Sequence, residues 1–302
     1  MTLLNKCYHE ILNEYLVNFH EKVDISFELF PPKNQIIQSN FWNTVNQLKL
    51  LNPIFFSVTC GAFSGEKNRT YDVVREVQNN TKIETAPHLT CIDFTKEELK
   101  QIAKTYWNNG IRHIVALRGD IKSSKDKPKM YASDLVKLLK DVANFDISVA
   151  AYPEVHPESR SANDDLISLK TKIDCGANRA ITQFFFSVNH FLKFRDLCVS
   201  NGITIDIVPG IFPIINFKQL CHFSKMSNVV IPNWIYHMFD GLEDDYETIK
   251  IIGASIAMDI VKVLYKEGVR KFHFYTLNKS ELVIPICRVL GIRVNAFNND
   301  KK

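Results

Sequence analysis

The chain has 302 residues, 46% hydrophobic and 23% charged, with a mean hydropathy of −0.10; it can bury a large core and has no apolar run near the ~20 residues of a membrane span. Its 37 basic and 33 acidic residues leave a net charge of +4 spread along the chain, and the densest basic stretch, Lys122 to Lys129, is interrupted by Asp126 and Pro128. That excludes a phosphate-tracking face, and with it a nucleic-acid partner.

The first residues carry scattered charge and no apolar signal core, so residues 1–22 are expected to form a helical extension rather than a leader. From there, short β-branched or aromatic runs recur about every thirty residues. They are Val23–Phe30, Ile54–Cys60, Ile83–Thr90, His113–Asp120, Ile147–Pro153, Arg179–Phe186, Ile203–Gly210 and Lys271–Leu277. Between them the apolar spacing predicts helices over Asn40–Leu51, Thr95–Trp107, Tyr131–Val142, Ala162–Gly176, Asn189–Ser200 and Lys218–Met226, with a long one over Tyr246–Lys266. Thr95 followed by Glu98 matches a capping box, and Gly176 and Gly202 stand where helices end. The acidic turn from Asp240 to Asp245 reads either as charge complementing a helix N-terminus or as a metal loop. Eight strand–helix units predict an α/β fold, a closed (β/α)8 TIM barrel in one catalytic domain over 1–302, ending in a polar tail at 298–302.

Seven cysteines without a CxxC pair suggest free thiols in a reducing, cytoplasmic compartment. Eleven glycines contain no GxG and no P-loop, which excludes two common ways of holding a nucleotide.

Barrel enzymes place their chemistry at the C-terminal ends of the strands. Here those ends carry Glu28, Thr59, His88, Arg118 with Asp120, Tyr152 and Gln183. Glu28 lies between Phe27 and Leu29, where desolvation raises a carboxyl pKa as a general acid requires; a structural ion pair is the alternative. His88 has no HxH or HxxxH partner, so it reads as a hydrogen-bonding histidine, and no metal is expected. Gly119, between Arg118 and Asp120, would let a ligand approach the backbone. Two prolines stiffen Tyr152-Pro153-Glu154-Val155-His156-Pro157. The run Phe184 to Phe186 reads as core, while Gln183 beside it needs a polar partner.

The stretch Phe27-Glu28-Leu29-Phe30-Pro31-Pro32 resembles the opening signature of methylenetetrahydrofolate reductases. The segments Ala86 to Thr90, Asn109 to Asp120, Ala150 to Pro157, Gly176 to Phe186, Val208 to Ile211 and Phe272 to Asn278 are similar to further signatures of that family, over nearly the whole chain. The resemblance is to the bacterial single-domain type and implies a barrel without the regulatory domain of eukaryotic members. It implies an FAD enzyme that takes hydride from NADH or NADPH and, in a ping-pong cycle, reduces 5,10-methylenetetrahydrofolate to 5-methyltetrahydrofolate for methionine synthesis. A homo-oligomer, dimer or tetramer, is also implied.

By the same resemblance Glu28 would be the general acid and Asp120 an electrostatic partner of the developing cation. FAD would be lined by Thr59, Cys60, Ala62, His88, Arg118, Gly119, Asp120, Ala132, Tyr152, His156, Ser159, Asp165, Ser168, Thr171 and Lys172. Gln183, Gln219, Phe223 and Lys279 would face the substrates, Phe223 by stacking. Cys60 stands where the family is expected to have tyrosine and Lys279 where it has arginine, while Ser168 and Thr171 replace longer side chains. These departures bear on affinity rather than on the reaction. Two other classes stay open: a cofactor-free lyase or aldolase using Glu28 and His88, and a flavin- or folate-binding protein without turnover.

Overall fold

Hydrogen bonding joins the eight anticipated strands into one closed parallel ring, in chain order. The computed structural model describes residues 21–32, 34–60, 67–120 and 128–293. The expected N-terminal helix and polar tail fall outside these, as does Ala62. In order, the elements are β1 (Asp24–Leu29), α1 (Gln35–Leu48) with a 3-10 turn, β2 (Phe55–Val58), α2 (Lys67–Thr81), β3 (Thr85–Thr90), α3 (Lys96–Asn108) and β4 (His113–Leu117). There follow α4 (Ala132–Val142), β5 (Asp146–Ala151), α5 (Ala162–Asp174), β6 (Arg179–Phe184), α6 (Val188–Ser200), β7 (Asp206–Ile211), α7 (Phe217–Ser227), α8 (Asn233–Phe239), α9 (Tyr246–Lys266), β8 (Lys271–Tyr275) and α10 (Ser280–Val289).

The helix ends follow their local chemistry. Thr95 and Glu98 form the capping box of α3, worth about 1 kcal/mol. Asp245 caps α9 by accepting from Thr248 N at 3.1 Å, so that end of the acidic turn serves the helix. Gly176 and Gly202 follow the C-caps of α5 and α6 with φ of 113° and 74°, values an L side chain resists. Three helices go beyond the expected set: α2, α8 and α10.

Side-chain alternation sorts each strand into an outer and an inner face. On β1, Ile25, Phe27 and Leu29 join the large core between ring and helices, where full burial of each contributes about 1.5–3 kcal/mol. Ser26 and Glu28 take the opposite face. Inside the ring, Phe55, Ala86, Val115, Ile181 and Val208 form a separate apolar plug. Toward the N-terminal ends of the strands the filling turns polar. His113 Nε2 lies 2.7 Å from Ser148 Oγ, and Arg179 reaches both His113 and Asp146; His273, level with Phe55 and lining the cavity above, has its Nδ1 2.7 Å from Ser26 Oγ. Burial holds both histidines neutral, His273 at about 3. Glu84, His113 and Asp146 bring donor atoms within 4.8 Å of one another here, but the Arg179 guanidinium already supplies a cation. Above the plug the barrel opens.

Candidate active site

The central cavity above the plug encloses about 340 Å³. Glu28 projects into it from β1, its neighbours in register being Ser57 on β2 and Tyr275 on β8. The position is fixed from the last strand: Thr276 Oγ1 donates to Glu28 O at 2.6 Å. Asn278 then ties off the following loop, its side chain accepting from Phe30 N at 2.9 Å and donating to Phe30 O at 2.8 Å.

Glu28 is 8% exposed, and burial pushes its carboxyl pKa up to about 8. His88 Nε2 lies 3.6 Å from Glu28 Oε2, longer than a hydrogen bond, and burial brings the imidazole down to about 4. At neutral pH the pair is therefore an acid beside a neutral imidazole, and the structural ion pair considered for Glu28 is not formed with His88. A carboxylic acid that keeps its proton near pH 7 and faces a cavity suits general acid catalysis.

Around this acid the walls are apolar. Phe184, Phe212 and Phe223 line one side, Phe212 meeting Phe223 edge-on with centroids 6.0 Å apart. Phe185 and Phe186 stay in the core, as the aromatic run suggested. The Gln183 side chain accepts from Phe184 N at 3.0 Å, which leaves its NH2 donors for the cavity it lines. Tyr275, not singled out in the sequence, lines the same cavity and donates to Thr182 O at 2.7 Å. A slot with flat apolar walls and a few fixed polar points suits a planar heteroaromatic ring.

A second, more polar groove of about 480 Å³ shares His88, Leu117, Ala150 and Tyr152 with the cavity. Cys60, Arg118, Gly119, Asp120, Ala132, His156, Ser159, Asp165, Ser168 and Lys172 all line it. Its own bonds hold it open. Arg118 grips Glu158 through both terminal nitrogens at 2.5 and 2.8 Å, an unanticipated partner. Asp165 accepts from His156 N and Ser159 Oγ, both at 2.6 Å, so Asp165 and Ser159 shape the loop with the same atoms that would otherwise meet a ligand. Gly119 has φ of +92°, and a Cβ there would sit 2.6 Å from Ile92 Cγ2.

Lys172 is the decisive residue of the groove. The residue is 9% exposed, its ammonium donates to Ala150 O at 2.6 Å, and burial lowers its pKa to about 8. A buried cation with donors to spare favours an anionic ligand such as a pyrophosphate. The donor set fits a long ligand with a phosphate in the groove and a ring reaching toward Tyr152 and His88.

Three expected site residues stand outside both cavities. Thr171 Oγ1 donates back to Ile167 O at 2.8 Å on α5. Gln219 is exposed in the first turn of α7, and Lys279 is exposed at the N-cap of α10. Thr59 lines the central cavity instead of the groove.

The family model described as methylenetetrahydrofolate reductase matches residues 13–291. A 5,10-methylenetetrahydrofolate reductase of Buchnera aphidicola subsp. Baizongia pistaciae is 62% identical over 291 residues, covering 96% of this chain and 99% of its own. The protein of that name from Escherichia coli strain K12 is 56% identical over 293 residues, covering 97% and 99%. Methylenetetrahydrofolate reductase (NADH) 1 of Zea mays is 33% identical, but the match takes in 48% of that longer protein. Among solved structures, an uncharacterized Clostridium thermocellum protein that binds two copies of 5-methyl-5,6,7,8-tetrahydrofolic acid shares the fold, with a TM-score of 0.64 at 17% identity, covering 95% of this chain and 99% of that one.

Proposed function

This chain belongs to the methylenetetrahydrofolate reductase family, and from that premise we propose how its own residues reduce 5,10-methylenetetrahydrofolate to 5-methyltetrahydrofolate. It is an oxidoreductase of one-carbon and methionine metabolism. The observation that carries the proposal is the protonated Glu28 inside a cavity shaped for a planar ring.

FAD is the proposed cofactor, held along the polar groove by Lys172, Gly119, Tyr152, His156, Cys60 and their neighbours. When bound it would supply hydride, drawn from NADH or NADPH in one half-reaction and given to the folate in the other. Glu28 Oε would hold a proton for the folate nitrogen that departs as the five-membered ring opens, leaving an electrophilic methylene carbon. Phe223 and Gln183 would align each planar substrate in turn, by stacking and by hydrogen bonding. Asp120, exposed at the groove's edge, would add negative charge toward the developing cation.

The exposed Trp234, Tyr236 and Met238 of α8 support a homo-oligomer, which sedimentation would test. A cytoplasmic location is part of the same proposal; no helix among the described residues is long and apolar enough to cross a membrane.

The test is a purified enzyme that is yellow, bleached by anaerobic NADH and recoloured by methylenetetrahydrofolate. Protein that stays colourless when offered FAD would instead favour a cofactor-free lyase. Protein that bleaches but never recolours would be a binding protein without turnover.

A further inference from the structure

We propose that Glu154 is a positioning residue, fastening the loop after β5 to the first turn of α6 and to the segment that follows α7, all three next to walls of the substrate slot. Its side chain is only 9% exposed, and each carboxylate oxygen has its own partner on a different segment, one on α6 and one just after α7. Oε1 pairs with His190 Nδ1 at 2.8 Å, and Oε2 accepts from Val230 N at 2.7 Å. Beside it, Asn228 Nδ2 donates to Val155 O at 2.9 Å.

Each partner leads directly to a slot wall. Glu154 follows Tyr152, which lines both cavities. His190 lies in the first turn of α6, just after the strand that bears Gln183. Val230 lies just beyond α7, whose Phe223, Met226 and Ser227 line the slot. The end of α7 is unusual backbone, with Asn228 at φ 55°, and Ser224 Oγ bonds Val229 O there. The helix itself holds residues 228 and 229 through Ser224, and the bonds of Glu154 to Val230 N and of Asn228 to Val155 O tie this end to the loop after β5. A carboxylate suits that task, because it accepts from two separate donors at once with charge-assisted strength.

The inference rests on the proposed use of the cavity by planar substrates. It is tested on flavin-loaded wild type, Glu154→Ala and Glu154→Gln, the last keeping an acceptor for Val230 N. Amide exchange over residues 226–231 is followed without substrate, alongside flavin content, KM and kcat. In Glu154→Ala, exchange should quicken and KM for methylenetetrahydrofolate rise about fivefold, with flavin content and kcat within about twofold. Glu154→Gln should restore both. Unchanged exchange, or faster exchange with unchanged KM, overturns the proposal. So does equal loss of flavin and of thermal stability in both variants. A wild type that never recolours with folate would overturn the proposed function instead, and the exchange result would still decide whether Glu154 fastens the loop.

Discussion

Glu28 Oε2 and His88 Nε2 lie 3.6 Å apart without forming an ion pair, because burial drives each toward its neutral form. Charging both in this cavity would cost more desolvation energy than their attraction returns. The proton consequently stays on the carboxyl, at an atom that faces the substrate space.

Glu28→Gln keeps the shape and removes the transferable proton. NADH should still bleach the flavin at close to the wild-type rate, while recolouring by methylenetetrahydrofolate should slow by about 10²–10⁴. Stopped-flow absorbance separates the two half-reactions. Equal slowing of both would make Glu28 a structural residue.

The same variant should reveal the shift in stability. The folded Glu28 carboxyl titrates at about 8 against an ordinary 4.5, so the folded state holds the extra proton between these values and stability falls as pH rises through them. His88, at about 4 against 6.5, acts in the opposite sense: stability is lost as pH falls below 6.5. Above pH 6.5 the Glu28 effect is left unopposed by His88. From pH 6.5 to 8, Glu28→Gln should gain on wild type by about 2 kcal/mol in urea unfolding. A constant difference across that range would contradict the assignment.

Lys172→Met replaces a buried ammonium by a side chain of similar length. Retention of flavin through dialysis should fall about tenfold or more, while the melting temperature of the flavin-free protein holds or rises, since a buried charge has gone. An anionic ligand would raise the Lys172 pKa from its present value of about 8, so wild-type affinity should weaken above that pH. Full retention of flavin by the variant would remove Lys172 from the site.

Asn278 combines φ of 57° with two hydrogen bonds to Phe30. Asn278→Ala should cost about 2–3 kcal/mol, from lost bonds and a strained backbone. Asn278→Gly relieves the strain alone and should be the milder change. Denaturant unfolding of both variants distinguishes the two contributions, and identical losses would rule out the backbone component.

Much of the architecture can be read along the chain. Eight β-branched runs mark the strands, since a parallel strand covered on both faces needs near-continuous apolar residues. Their polar ends identify Glu28, His88 and Gln183, because few structural reasons would put such groups there. The missed helices have local causes. Paired valines at Val73 and Val74 blur the helical period of α2, α8 is short and aromatic, and Pro285 lies inside α10. The grip of Arg118 on Glu158 and the reach of Tyr275 to Thr182 O depend on how loops and strands meet in space. No spacing in the chain encodes either. Thr171 shows the converse: a position taken from family resemblance alone spends its hydroxyl on its own helix.

The joint between β1 and β8 also has a meaning in time. Thr276 Oγ1 bonds Glu28 O, and Asn278 bonds Phe30, each across 248 positions of sequence. A chain emerging from its N-terminus carries its acid early but cannot seat it until nearly everything else has been made. Until then β1 lacks one of its two neighbouring strands, the one that sets Tyr275 beside Glu28. The burial that raises the Glu28 pKa is thus complete only when the last strand has docked.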